Sequence, residues 1–159
     1  MGIKVEINYM IERNESVSIE TDDFIFEAPE GYRIERLDEQ AELIGLNTEL
    51  LVIASYSIDK LSSSEEVEGF TNKLKKAMLE AIDEPDLVVT GKLTKAVTDD
   101  GLPVWSVLTV ATDKSHFFDQ YAIFNGSIAV VVSIEGDYEN RASSAHIEEA
   151  VYDIEFKQS

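Results

Sequence analysis

The sequence predicts a three-layer α/β/α sandwich, an α+β fold in which a mostly antiparallel sheet lies between helical covers. Three observations predict it. Strand patterns separated by hairpin-turn residues fill most of the second half of the chain. Two of those strands are apolar on both faces, where a sheet with one wet face would alternate. Two amphipathic helical patterns are present to cover what such a sheet leaves bare.

The elements follow in order. Ile3, Val5, Ile7 and Tyr9 alternate with Lys4, Glu6 and Asn8, the period of two that gives a strand one buried face. A short run with Val17 and Ile19 precedes Phe24-Ile25-Phe26-Glu27-Ala28. Pro29-Glu30-Gly31 then predicts a tight turn, because Pro fixes φ and Gly accepts a positive φ. Tyr32, Ile34 and Leu37 continue the strand pattern beyond it. Residues 38–49 read either as a short helix, on Ala41, Leu43 and Ile44, or as a loop. Leu50 to Ser57 is a continuous apolar strand.

A long helix is predicted from about Ser64 to Ile82. Ser63-Ser64-Glu65-Glu66 has the make-up of a capping box, in which side-chain oxygens satisfy the orphan N–H groups of the first turn. Val67, Phe70, Leu74, Ala77, Met78, Ala81 and Ile82 recur at helical spacing, and Pro85 ends the pattern. A meander of strands follows, Leu87–Val97, Val104–Thr112, Phe117–Phe124 and Ile128–Ile134, with Asp100-Gly101 and Asn125-Gly126 at the turns. In the strand at 128–134, Ile128, Val130, Val132 and Ile134 oppose Ala129 and Val131; in that at 104–112, Val104, Leu108 and Val110 oppose Trp105 and Val107. A last helix at roughly 143–153 carries Ile147, Ala150, Val151 and Ile154 on one face. Val67, Phe70, Leu74 and Met78 are expected to cover one face of the sheet, and Ile147, Val151 and Ile154 the other or its edge.

No repeat or linker divides the 159 residues, so a single domain, 1–159, is expected, with 1–20 as an N-terminal strand extension. The 32 acidic residues outnumber 13 basic ones, for a net charge of −19. Such a field repels nucleic-acid phosphates and anionic lipid, and favours a cationic partner. With 44% hydrophobic residues interleaved among the charges, the acidity marks a solvated face and not a disordered tail. The absence of cysteine excludes disulfides, thiolate metal sites and Cys nucleophiles. No basic segment followed by an apolar one opens the chain, and no apolar run has membrane-spanning length. A cytoplasmic location is the expectation, or the envelope or periplasm if a leader has been removed.

The order of elements, together with two local motifs, resembles the PsbP/Mog-type fold family and its DcrB-like bacterial branch. Phe24-Ile25-Phe26-Glu27-Ala28-Pro29-Glu30-Gly31-Tyr32 is similar to that family's opening strand and P-x-G-W turn, with Tyr32 in place of Trp. Asp100-Gly101-Leu102-Pro103-Val104-Trp105 is similar to its G-x-P hairpin. The resemblance spans roughly residues 20–157. It implies the sandwich above and a non-enzymatic binding role, and it carries no catalytic motif.

The residues themselves agree that catalysis is not encoded. No G-x-S-x-G, G-x-G-x-x-G or P-loop occurs, and no cofactor is expected. His116 and His146 lack metal-ligand spacing, and Asp22-Asp23, Asp99-Asp100 and Asp113 lack the pattern of a calcium loop, so no metal site is assigned. Lys73, Lys75 and Lys76 form a basic cluster on the wet face of the long helix. The leading expectation is an immunity-, chaperone- or assembly-factor-like protein that offers an acidic surface to a basic protein partner. Glu35, Asp38, Glu39 and Glu42 are the candidate docking cluster, with Tyr32 and Trp105 as candidate aromatic anchors. The alternative is a small-ligand or metal-binding domain using a groove between sheet and helix, which apolar side chains converging on His116 or His146 would favour.

Overall fold

The structure is a computed structural model that describes residues 5–9, 17–38, 40–57, 69, 72, 73, 76, 87–89, 94–98, 100–144 and 146–157. The chain builds β1 (Val5–Tyr9), β2 (Val17–Thr21), β3 (Phe24–Glu27), β4 (Arg33–Leu37), β5 (Ala41–Ile44) and β6 (Leu50–Ser57). It continues with β7 (Leu87–Val89), β8 (Thr94–Val97), β9 (Pro103–Ala111), β10 (His116–Phe124) and β11 (Ile128–Asp137). A 3-10 segment (Tyr138–Ser144), helix α1 (His146–Tyr152) and β12 (Glu155–Phe156) close the order.

The strands form two sheets: a smaller one in the order β1-β2-β3-β12, and a larger one in the order β4-β5-β6-β11-β10-β9-β7, with β8 also paired to β9. Every strand pair among the described residues is antiparallel. The central hairpin is set by its turn. Gly126 takes φ 97, and Asn125 Oδ1 accepts the N–H groups of Ser127 and Ile128 at 2.9 and 2.8 Å. That fixes the register Ile123↔Val130, Tyr121↔Val132 and Asp119↔Ile134.

Period-two alternation then sorts the side chains. Leu51 and Ile53, Val130, Val132 and Ile134, Phe117 and Ile123, and Val104 and Val110 share one face of the larger sheet, all almost wholly buried. They pack in a single core with Val17 and Ile19 of β2, Phe24 and Phe26 of β3, and Ile147 and Val151 of α1. Thr21 shapes the β2–β3 hairpin, its hydroxyl oxygen accepting the N–H groups of Asp23 and Phe24 at 3.0 Å each. On the larger sheet's other face Trp105, Val107, Thr109, Ala122, Phe124 and Ala129 are buried too.

The expected three-layer α/β/α sandwich is not what the chain builds. The layer on the core face is a second antiparallel sheet, with α1, seven residues long, lying against β10 and β3. The reason lies at Pro29-Glu30-Gly31. Gly31 takes φ 96 and the chain does turn, but β3 pairs with β2 and β12 while β4 pairs with β5. Periodicity tells which side of a strand is apolar; it does not tell which strand lies beside it. Residues 38–49, expected as helix or loop, hold β5, in which Ala41 and Leu43 are buried between Glu42 and Ile44. The expected long-helix cover, Val67, Phe70, Leu74 and Met78, falls outside the described residues. Gly69, Asn72, Lys73 and Lys76 are helical and exposed, consistent with a wet helix face.

Candidate functional site

Where the chain crosses between the sheets, it leaves a cleft of about 910 Å³. One wall is the crossing itself, Glu27 to Arg33. A second is the turn joining β5 to β6, with Leu46, Asn47 and Glu49; the third is α1 and the residues after it, with His146, Glu149, Ala150 and Asp153. Carboxylates dominate: Glu27, Glu30, Glu49, Glu149 and Asp153 line the cleft against one arginine, Arg33. Leu46 is an apolar rim residue, 82% exposed, whose side chain lies over Gly31 so closely that a Cβ there would meet its Cγ at 2.8 Å.

Glu49 is unlike the other acids because it is 4% exposed. The turn that holds it is tight: Gly45 N–H donates to the Glu49 carbonyl oxygen at 2.9 Å, Thr48 N–H to that of Gly45 at 3.1 Å, and Thr48 takes φ 63. The carboxylate folds back over the turn, where Oε2 accepts the Asn47 N–H at 3.0 Å. Glycines make this packing feasible. A Cβ at Gly45 would sit 2.0 Å from Glu49 Oε1, and one at Gly136 3.0 Å from Glu49 Cβ.

Tyr32 stands beside Glu49 at 6% exposure. Its hydroxyl is shielded from solvent beside the Glu49 carboxylate. Burial, and secondarily the charge of Glu49, hold the phenol well above its ordinary range, so it stays protonated. On the opposite wall His146 Nδ1 lies 3.9 Å from Glu149 Oε2, both side chains largely exposed.

Of the residues singled out from the sequence, Tyr32 is in the cleft. Trp105 is buried on the face of β9 away from the shared core, so the two aromatics do not form one anchor surface. Glu35, Asp38 and Glu42 lie on the β4–β5 hairpin at the edge of the larger sheet, and Glu39 falls outside the described residues. Arg36 draws that cluster together, with Nη2 2.6 Å from Asp38 Oδ2 and Nε 3.9 Å from Glu42 Oε2, and so offsets part of its charge. His116 opens β10 opposite Asp137, its Nδ1 3.2 Å from Ser115 Oγ, and is not a cleft residue.

The acidic turns do local work. Asp113 Oδ1 accepts the Ser115 N–H at 2.9 Å, and the hydrogen bonds from Ser115 hold its carboxyl below the usual range. Among the described residues no group of three or more His, Asp or Glu side chains is placed to hold a metal ion. No described helix is long and apolar enough to cross a membrane.

Glu27, Glu30, Glu49, Glu149 and Asp153 were not singled out by sequence reasoning. The one signal available for Glu49 was its place after Gly45 and the turn-forming Asn47-Thr48. Compared with models of protein families and with curated proteins, the sequence matches none.

Proposed function

We propose that the protein is a non-catalytic binding module that takes a basic segment of a protein partner into the acidic cleft. The observation that carries this reading is the company the cleft keeps: five carboxylates, one of them buried, against Arg33 among its lining residues. Four are exposed and give the wide, screened attraction that speeds encounter; the buried one acts at contact, where water has been excluded. The net charge of −19 extends the same field over the molecule and disfavours nucleic acid as the partner.

The test is a labelled peptide carrying several basic residues, titrated against the protein and against the triple variant Glu27→Lys, Glu30→Lys, Glu149→Lys. Binding that weakens with salt in the wild type and is lost in the variant supports the reading. Equal binding by both places the interaction elsewhere and overturns it. A second reading, a small-ligand domain, is favoured by His146 on the cleft wall and by a volume within the ~300–1,000 Å³ of ordinary ligand pockets. Saturable binding of a small cation, with no peptide binding, would favour that reading.

A further inference from the structure

We infer that the 3-10 segment (Tyr138–Ser144) and α1, which carries the third wall of the cleft, form a pH-sensitive strap: it stays closed on β10 while Asp119 is protonated and opens more often once Asp119 is ionised. The inference goes beyond the acidic-cleft reading, because it concerns a wall of the cleft and not what the cleft binds.

The strap begins and ends on strands. It leaves β11 at Asp137 and returns through β12, where the Lys157 N–H donates to the Asp23 carbonyl oxygen at 2.8 Å and Lys157 Nζ lies 2.6 Å from Glu20 Oε1. Between those tethers it is built from weak pieces. A 3-10 stretch of seven residues is long for a geometry whose hydrogen bonds are poorly aligned, and α1, also seven residues, is too short to be stable by itself. Its hold on the molecule is therefore tertiary. Ile147 and Val151 are buried in the core, and the 3-10 segment and α1 both pack on β10.

Asp119 lies where they pack. It is almost wholly buried, on the face of β10 that also carries Phe117, Tyr121 and Ile123, between Leu108 of β9 and Ile134 of β11. Among the described residues, the charged and titratable groups around it are Arg141 from the 3-10 segment, Tyr121 from β10 itself, and Glu148 and Tyr152 of α1, which act on Tyr121. Burial holds both tyrosines above their ordinary range, so they keep their protons throughout.

Arg141 answers Asp119 poorly. A single nitrogen, Nη2, is shared between the two carboxylate oxygens at 3.4 and 3.3 Å, where a forked pair would use two nitrogens at about 2.7–2.9 Å. The ionised carboxylate is thus under-compensated where it is buried, and lifting the strap returns it to water. Burial accordingly keeps the carboxyl above its ordinary range in the closed form, against the pull of Arg141. By linkage, the closed form has stability that is full below the ordinary aspartate range and is lost as the pH rises through the raised value. Ile147 and Val151 keep it the major form at every pH; Asp119 sets how often it opens.

Hydrogen exchange read by mass spectrometry on the full chain, corrected for intrinsic rates, tests this from below the ordinary aspartate range to neutrality. In the wild type the α1 amides should lose protection by roughly three- to tenfold towards neutrality, while staying less protected than the β6–β11 pair at every pH. Asp119→Asn should flatten that loss. His146, exposed at the start of α1 and 3.9 Å from Glu149, is present in both proteins, so its contribution cancels in the comparison. Arg141→Gln should steepen the loss, since the ionised carboxylate has then lost its cation. Circular dichroism checks that each variant is folded; should Asp119→Asn fail to fold, a slope in Arg141→Gln no steeper than in the wild type overturns the inference. Protection independent of pH, or a loss that persists in Asp119→Asn, overturns it too. So do α1 amides as protected as the β6–β11 pair, which would show that α1 opens only when the whole chain unfolds. None of these outcomes bears on the basic-peptide test of the cleft.

Discussion

Asp119 shows how one side chain responds to burial where a partner is close but imperfectly placed. It lies on β10 at 4% exposure, with Arg141 Nη2 3.4 and 3.3 Å from its two oxygens. Burial pushes its carboxyl above the ordinary range, and attraction to Arg141 offsets only part of that. A carboxyl raised in the folded state contributes stability that is fully present below its unfolded pKa, near 3.8, and is lost as the pH rises through the folded value. Asp119→Asn resembles the protonated form at every pH. The stability of this variant relative to the wild type is therefore expected to increase as the pH is raised from below the ordinary aspartate range to neutrality. Urea denaturation of both proteins across that window measures it. The reverse trend would mean that the ion pair outweighs the cost of burying the charge.

At the scale of elements, α1 is short but well anchored, because Ile147 and Val151 are fully buried in the shared core. Ile147→Ala is expected to destabilise the protein by about 2–5 kcal/mol, the cost of deleting a buried aliphatic side chain and leaving a cavity. Urea denaturation reads it directly, and a loss below ~1 kcal/mol would show that the helix is not held by this residue. The strands were legible in the sequence for a plain reason: Val17/Ile19, Phe24/Phe26 and the β9–β11 meander carry their alternation and turn residues within a few positions of each other. α1 was legible through Ile147, Ala150 and Val151. β5 was not, because four residues, Ala41 to Ile44, are too few for a period of two to stand out from one of 3.6. Sheet membership was illegible as well, since Pro29-Glu30-Gly31 looks the same whether the next strand pairs with the last or leaves for another sheet. The cleft inherits both gaps. Its residues come from 27–33, 46–49 and 146–153, and no local spacing joins them.

For the molecule as a whole, the question is whether its charge acts as a diffuse field or through one place. Residues 1–49 hold thirteen acidic and four basic side chains, and two acidic groupings compete there for the role of docking site. On the β4–β5 hairpin Arg36 already answers part of the charge of Asp38 and Glu42; in the cleft Glu27 and Glu30 stand with Glu49, with Glu149 of α1 and with Asp153 just after it. Neutralising Glu27, Glu30, Glu149 and Asp153 to the amides is expected to slow capture of a basic peptide more than the same change at Glu35, Asp38, Glu39 and Glu42. The difference should shrink as salt rises, since exposed charges are screened beyond about 8 Å at 0.15 M. Stopped-flow association rates over a salt series decide this, and equal slowing by both sets would leave only a diffuse field. The way the chain closes on itself adds a constraint of another kind. β12 pairs with β3, Phe156 opposite Phe24, and the Lys157 N–H donates to the Asp23 carbonyl oxygen at 2.8 Å. The third wall of the cleft immediately precedes that strand. During synthesis on a ribosome, Tyr32 and Glu49 emerge long before the helix that faces them, so the larger sheet is already available to pair while the cleft still lacks a wall. A nascent chain therefore has no complete cleft until residues 146–157 have left the exit tunnel, and any ligand of the cleft must wait for that segment.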